Sequence, residues 1–436
     1  MSSSSDLEEK GNPPGLATPG KGAQLQEQQV EPQQSQQQPT FPDGGLRAWL
    51  VVVGAFFLMF CTFGYISTFG VYQSYYREVI LSKNSHSQIA WIGSLQSFFM
   101  CSTGMLSGPL TDRFGTRFIL IPFSLLYVTA IMLTSVCKEY YQFLLAQGVL
   151  GGFSLGMLFT PAISIIGHYF QKRRDLAIGI SSAGSPLGGV IFPIMLLRFL
   201  EHTNIGFGWA VRIIGFMILC LLSIGCVTLV PRIEPRSGPH FLPRAFKNPT
   251  YSLQTLGYCL VFWGIYTPFF FLPAFAIENG ASVDWSFYIM PVYNCGSFFG
   301  RITGSRLTKY VGRFNTLICA CFVSGILIYC WTRATALGPL IAFAVLFGFS
   351  SGAIIGLFPI TIAVSAPRAN EIGTYLGMTN GALGIFVLTG SPMMGAIQSR
   401  YGSFTPAIVF SGSLCIAGGL LITLARIFHS GKAIKA

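Results

Sequence analysis

HYFQKRRDLAIGISSAGSPLGG, residues 168–189, sets three consecutive cations, Lys172, Arg173 and Arg174, beside Asp175 and then runs on with no charge at all. Cations that halt abruptly against an apolar, small-residue run mark the face of a membrane, where charge stays in water and the run enters lipid. The composition of the whole chain agrees. Hydrophobic residues make up 52% and charged residues 10% of 436 residues, and mean hydropathy is +0.59. Soluble domains carry roughly 25% charged residues. The apolar material comes in long charge-free runs, each long enough for the roughly 20 helical residues that cross a bilayer.

Working outward from that stretch, candidate spans lie near 48–72, 88–110, 117–137, 141–166, 176–199 and 207–230, then 251–275, 285–307, 314–332, 337–364, 372–397 and 405–426. Connections are short except for 231–250, PRIEPRSGPHFLPRAFKNPT, which divides the spans six and six. Residues 1–42 are rich in Ser, Pro and Gln, offer too little apolar surface to order, and are expected to be a disordered tail. With no apolar stretch followed by a cleavage site, no removable signal peptide is expected there. The domain reading is therefore a tail (1–42), a first bundle (43–230), a linker (231–250), a second bundle (251–426) and a short tail (427–436).

Charge placement orients this layout. With an even number of spans, both termini and the linker share one side, which receives 19 of the 27 Lys and Arg, against 6 for the other side. Cytoplasmic loops carry such an excess, so the termini are expected to be cytoplasmic. The net charge of +12 is then mostly topological. It is spread over loops and forms no single basic patch, which argues against nucleic acid as a partner. The eleven cysteines sit mostly in apolar runs with no zinc-site spacing, so no metal is expected. A phosphate-cradling Gly-x-x-x-x-Gly-Lys-Ser/Thr loop is missing, no nucleophile–base pair stands out among five His, and no cofactor is expected. The chain is expected to be no enzyme.

The two halves echo one another. GISSAGSPLG at Gly179 and GMTNGALGIF at Gly377 open similar stretches, and GPLTDRFGTR at 108–117 has a degraded counterpart near 304–313. Parallel repeats of this kind are typical of transporters that rock about a central site.

On these residues, GPLTDRFGTR resembles the loop signature between spans 2 and 3 of the major facilitator superfamily. More narrowly, PDGGLRAWLVVVGAF at 42–56 and the stretch quoted first resemble the opening and the span 5 signature of its monocarboxylate transporter family, with a fungal flavour. The resemblance covers the chain from about Pro42 to the last span. It implies an all-α membrane fold of twelve transmembrane helices in two pseudo-symmetric six-helix bundles. It also implies gating roles for Asp112, Arg113, Arg117, Arg174 and Asp175 at the cytoplasmic face. Read physically, Asp112 and Asp175 lie at helix ends beside cations with which they can pair. The Gly/Ala/Ser run lets span 5 approach a neighbour closely.

Only Arg212 and Arg301 lie well inside spans, and a charge near a helix centre normally faces a cavity or a partner. Arg212, near an outer end, is expected to snorkel. Arg301 lies about 24 Å along its helix from Trp285, and it matches the family's span 8 arginine, associated with binding a substrate carboxylate. Where proton-coupled members carry a span 1 lysine and a span 8 aspartate, this chain has Ser67 and Ser297. A larger solute with several polar groups is expected. Asn294, Thr160 and Asn380 can hydrogen-bond a solute or a neighbouring helix. Tyr258, Phe262, Tyr266 and Phe269 form a stripe that fits core or lipid contact as well as a ligand. The candidate site is Arg301, Ser67, Asn294, Tyr266 and Asn380.

The expected function is a secondary transporter of a small organic solute, such as a carboxylate, exporting a cell-made metabolite through the cell membrane. The bilayer is its environment, and both a monomer and a chain with an accessory membrane subunit are compatible with it. Alternatives are a proton-linked monocarboxylate or vitamin importer, a non-transporting nutrient sensor, and a vacuolar or other internal membrane as the location.

Overall fold

The computed structural model describes residues 42–232 and 241–430; the expected tails and the middle of the linker lie otherwise outside that range. Among the described residues all regular structure is helical. This follows from lipid as solvent, because a helix satisfies its backbone polar groups within itself. The long rods are α1 (Leu46–Ile80), α2 (His86–Phe114), α3 (Thr116–Thr134), α4 (Tyr140–His168), α5 (Arg174–His202) and α6 (Gly206–Thr228). After the linker come α7 (Pro249–Glu278), α8 (Val283–Val311), α9 (Arg313–Trp331), α10 (Leu337–Ser365), α11 (Ile372–Tyr401) and α12 (Thr405–Ser430).

Eleven of these rods are long and apolar enough to cross a membrane; the exception is α8. It carries Asp284, Arg301, Arg306 and Lys309 among its 29 residues, so its composition is polar although its length suffices. It packs against α5, α7, α9 and α10, which bury Arg301, while Asp284, Arg306 and Lys309 stand exposed towards its two ends.

Local signals start and stop the rods. Ser85 and Gln88 form a reciprocal cap at the start of α2, and Ser282 accepts from the Trp285 N–H at the start of α8. Asn248 caps α7 ahead of Pro249. Gly115 alone joins α2 to α3, and Gly312 alone joins α8 to α9, with φ of 85° and 99°. A one-residue corner in that conformation favours glycine, and it recurs at matching places in the two halves. α1 is not a plain rod. It breaks at Thr62 and again at Ser67–Thr68, and it ends in a π-helical turn, Tyr76–Ile80, well beyond the expected limit at 72.

Two long seams join the halves. α2 runs along α11, and α5 runs along α8. Glycine makes both possible. A side chain on Gly108 would run into Gly373 and Gly377, and one on Gly179 would run into Ser305. The face carrying the linker is also tied together. The Asp43 N–H donates to the Tyr169 carbonyl, the Tyr169 hydroxyl donates to the Val230 carbonyl, and Asp43 Oδ1 accepts from the Gln171 and Lys172 N–H groups, both at 2.7 Å. Burial alone would raise the Asp43 carboxyl. The backbone donors of residues 171–173 and the Lys172 charge outweigh that and hold it below the usual carboxylate range.

Candidate functional site

Where the two seams converge, a small cavity lies between the halves, about 40 Å³ in volume. Met59, Phe63, Phe159 and Ile163 of the first half form one wall, and Phe262, Tyr266, Arg301, Phe358 and Asn380 of the second form the other. That volume holds a few waters, whereas pockets for drug-sized ligands run to roughly 300–1,000 Å³. The conformation is therefore contracted around the cavity. A larger recess of about 330 Å³ lies on the linker face among Pro42, Arg47, Tyr169 and Arg232.

Arg301 is only 6% exposed. Its Nη1 donates to the Ser182 carbonyl of α5 at 2.7 Å, and its Nε has no hydrogen-bond partner. The side chain thus turns across the seam instead of snorkelling towards Arg306. A backbone carbonyl of the other half supplies part of what a carboxylate would. Asn380 on α11 is also 6% exposed, and its Nδ2 is without a hydrogen-bond partner. Arg301, Tyr266 and Asn380 are thereby brought to one cavity. Asn294 and Ser67 do not line it. Asn294 Nδ2 donates to the Gly189 carbonyl at 3.3 Å and to Met290 of its own helix, so it stitches the α5–α8 seam. Ser67 lies at the break in α1, 3.5 Å from the Phe63 carbonyl. Thr160 Oγ1 is buried without a partner, outside the cavity wall. Arg212, near the start of α6 and away from the linker face, donates to Ser135 Oγ at 3.0 Å and lies over the Trp209 ring.

At the linker-face end of each seam a carboxylate of the first half grips the second. Asp112, 8% exposed, accepts at one oxygen from both the Thr374 N–H (2.7 Å) and the Thr374 hydroxyl (2.8 Å). Thr374 lies in the first turn of α11, where the helix dipole favours an anion. Asp175 pairs with Arg313 at 2.7 Å and accepts from the Thr308 hydroxyl at 2.9 Å. Each acid stands four residues from the glycine that sets its seam: Gly108 before Asp112, Gly179 after Asp175. Of the expected gating cations, Arg113 lies over the Phe114 ring, and Arg117 reaches the Val227 carbonyl within its own half at 3.5 Å. Arg174 leans on Gly167, with its Nε buried and without a hydrogen-bond partner. Thr374, Arg313 and the Ser182 carbonyl were not singled out by the sequence, although Arg313 closes the degraded repeat of GPLTDRFGTR.

Comparison with known proteins agrees with this geometry. Residues 48–385 match the family described as Major Facilitator Superfamily. The aspyridones efflux protein apdF of Emericella nidulans is 43% identical over 409 residues, 93% of this chain and 84% of that one. The agnestins efflux protein AgnL12 of Paecilomyces divaricatus is 38% identical over 395 residues, 89% of this chain and 90% of the relative. The fujikurins efflux protein of Gibberella fujikuroi is 37% identical over 401 residues, 90% and 85% of the two chains. Among solved structures, that of the human organic anion transporter MFSD10 superposes with a TM-score of 0.67 at 14% identity, covering 87% of this chain and all of that one, a likeness of fold.

Proposed function

The chain belongs to the Major Facilitator Superfamily, and on that premise we propose that it exports a cell-made organic metabolite by alternating access. It is a membrane transporter and not an enzyme. The export direction and the metabolite class rest on relatives named for the efflux of aspyridones, agnestins and fujikurins. The observation that carries the reading is the buried guanidinium of Arg301 in a contracted cavity between two closed seams. Solute binding needs that cavity to widen. Widening needs the halves to part, and the Asp112 and Asp175 grips hold them together on the linker face. We take that face to be cytoplasmic, the two six-helix halves to be the rocking units, and the plasma membrane to be the location.

Within the superfamily we read the chain as akin to the monocarboxylate porters, a reading supported by the motifs at 42–56 and 168–189. A proton-linked monocarboxylate importer is the second reading. It is disfavoured by Ser297, buried in the α8–α10 contact where an acid is required, and by Ser67, which is neutral and away from the cavity.

The test compares the producing cell with and without the gene, following acidic metabolites inside and outside by mass spectrometry. Cells lacking the gene are expected to retain at least one metabolite that the parent secretes. Unchanged distribution of every metabolite would overturn the export reading.

A further inference from the structure

We infer that the cavity carries its solute as an organic anion with no proton-carrying group of its own, so that the membrane potential drives export. The inference rests on the transporter reading above and adds the charge state of the solute and the source of its drive.

Arg301 is the one charged side chain lining the cavity. Among the described residues, every Asp and Glu stands in a loop or near a helix end, and those that belong to the seams are engaged. Asp112 holds Thr374, and Asp175 holds Arg313 and Thr308. The helices around α8 give the same answer. α10 contains no Asp, Glu, Lys, Arg or His at all. α5 has Arg174 and the engaged Asp175 in its first turn and Arg198, Glu201 and His202 only at its far end, the last two beside each other and exposed, and α7 has Glu278 as its last residue. α9 offers Arg313, already paired. Facing the guanidinium are the phenols of Tyr266 and Tyr293, a class of group that ionises only near pH 10. The thiol of Cys101 completes the titratable lining. None of these shuttles a proton at physiological pH, and an arginine keeps its own.

The empty site therefore holds a positive charge that one carbonyl only partly satisfies. An uncompensated buried charge is costly, and an anion repays it. Arg301 Nε and Asn380 Nδ2 are the two donors left over. Phe63, Phe159, Phe262 and Phe358 suit the unsaturated body of a ring-bearing acid. Loaded, the site is neutral; empty, it is cationic. One export cycle moves one negative charge outward: the neutral loaded site crosses without work against the voltage, and an inside-negative potential favours the inward return of the cationic empty site.

The test uses the full chain in liposomes, with a potassium gradient and valinomycin setting the voltage. The probes are 1-naphthoate and 1-naphthalenesulfonate, the second ionised at every usable pH, and protein-free vesicles are subtracted. At equal pH, both probes are expected to accumulate on the positive side, tenfold for every 60 mV or so, the equilibrium for one charge. At zero voltage, a pH gradient of one unit is expected to leave the sulfonate evenly distributed. Accumulation of the sulfonate along the pH gradient at zero voltage would overturn the inference, and so would failure of both anions to move. If both fail while the producing cell still secretes its metabolite through this gene, the anion inference falls and the transporter reading stands. Arg301→Gln is expected to abolish probe movement. Should that variant misfold, the voltage test on the unaltered protein decides alone.

Discussion

At the scale of single residues, Arg301 is held by a group that no sequence pattern announces. A charge inside a span is expensive, so the arginine itself was legible; the Ser182 carbonyl that accepts from it was not, because a backbone oxygen is the same at every position. The same limit explains Asn294 and Ser67. As polar side chains inside spans they fit a solute or a neighbouring backbone equally well, and one stitches the α5–α8 seam while the other lies at a helix break. Geometry turns the arginine into a sharp prediction. Its Nη1 is committed to Ser182 while its Nε is buried without a hydrogen-bond partner. A planar guanidinium does both at once, and a lysine ammonium has no fork with which to replace it. At equal surface expression, Arg301→Lys is therefore expected to lower solute flux at least tenfold, about 1.4 kcal/mol of lost binding. A fully active Lys variant would remove Arg301 from the site.

At the scale of elements, the seams matter more than the individual helices. The sequence exposed their ingredients, small residues in α5 and α11 and an acid near the end of α2 and the start of α5, but not which helix each would meet, because partner choice depends on three-dimensional placement. Element limits were legible where a glycine or a cap marks them, and not in α1, whose kinks and final π-helical turn have no counterpart in hydropathy. Two substitutions separate the parts of the α2–α11 seam. Asp112→Asn keeps the shape but removes the charge from the first turn of α11. Charge-assisted hydrogen bonds are worth roughly 1.5–3 kcal/mol against 0.5–1.5 for neutral ones. The state closed on the linker face should lose about 1–2 kcal/mol, a population shift of about five- to thirtyfold. Transport rate is expected to fall while equilibrium binding of a solute survives; loss of binding with a normal rate per bound solute would show that Asp112 serves the site and not the gate. Gly377→Val acts by volume. Even a Cβ there would approach the Gly108 Cα to 3.2 Å, backbone against backbone, with no flexible side chain to yield. The variant should fold, since the crowding arises only between halves, yet be unable to close that seam. Overpacking of this kind costs roughly 1–3 kcal/mol. Flux is expected to vanish, and a cysteine-reactive probe should gain access to the cavity from the linker face; normal flux would show that the seam opens and closes without this contact.

At the scale of the whole molecule, the all-helical fold was legible almost entirely, because the bilayer admits so few solutions: apolar runs of span length, short connections and one long linker leave little else. One rod, α8, falls short of a membrane helix by hydropathy, since Arg301 is buried against neighbouring helices and its other charges, Asp284, Arg306 and Lys309, stand exposed towards its ends. Orientation is a separate matter, on which cations and not helices carry the expectation. The asymmetry of 19 against 6 Lys and Arg coincides with a face that the structure ties together, where the chain before α1, the loop between α4 and α5 and the start of the linker meet through Asp43, Tyr169 and Val230. A bundle whose charged loops converge in this way should insert in one sense only, with that face in the cytoplasm. The check is a pair of single-cysteine reporters in a background freed of the eleven native cysteines. Ser237→Cys lies in the linker, and Lys83→Cys lies in the exposed loop between α1 and α2 on the opposite face. An impermeant maleimide added to intact cells is expected to label position 83 and to reach position 237 only after the membrane is opened. Labelling of position 237 from outside would invert the molecule: the Asp112 and Asp175 grips would then guard the outer gate, and the same voltage would drive an anion from the opposite face of the fold.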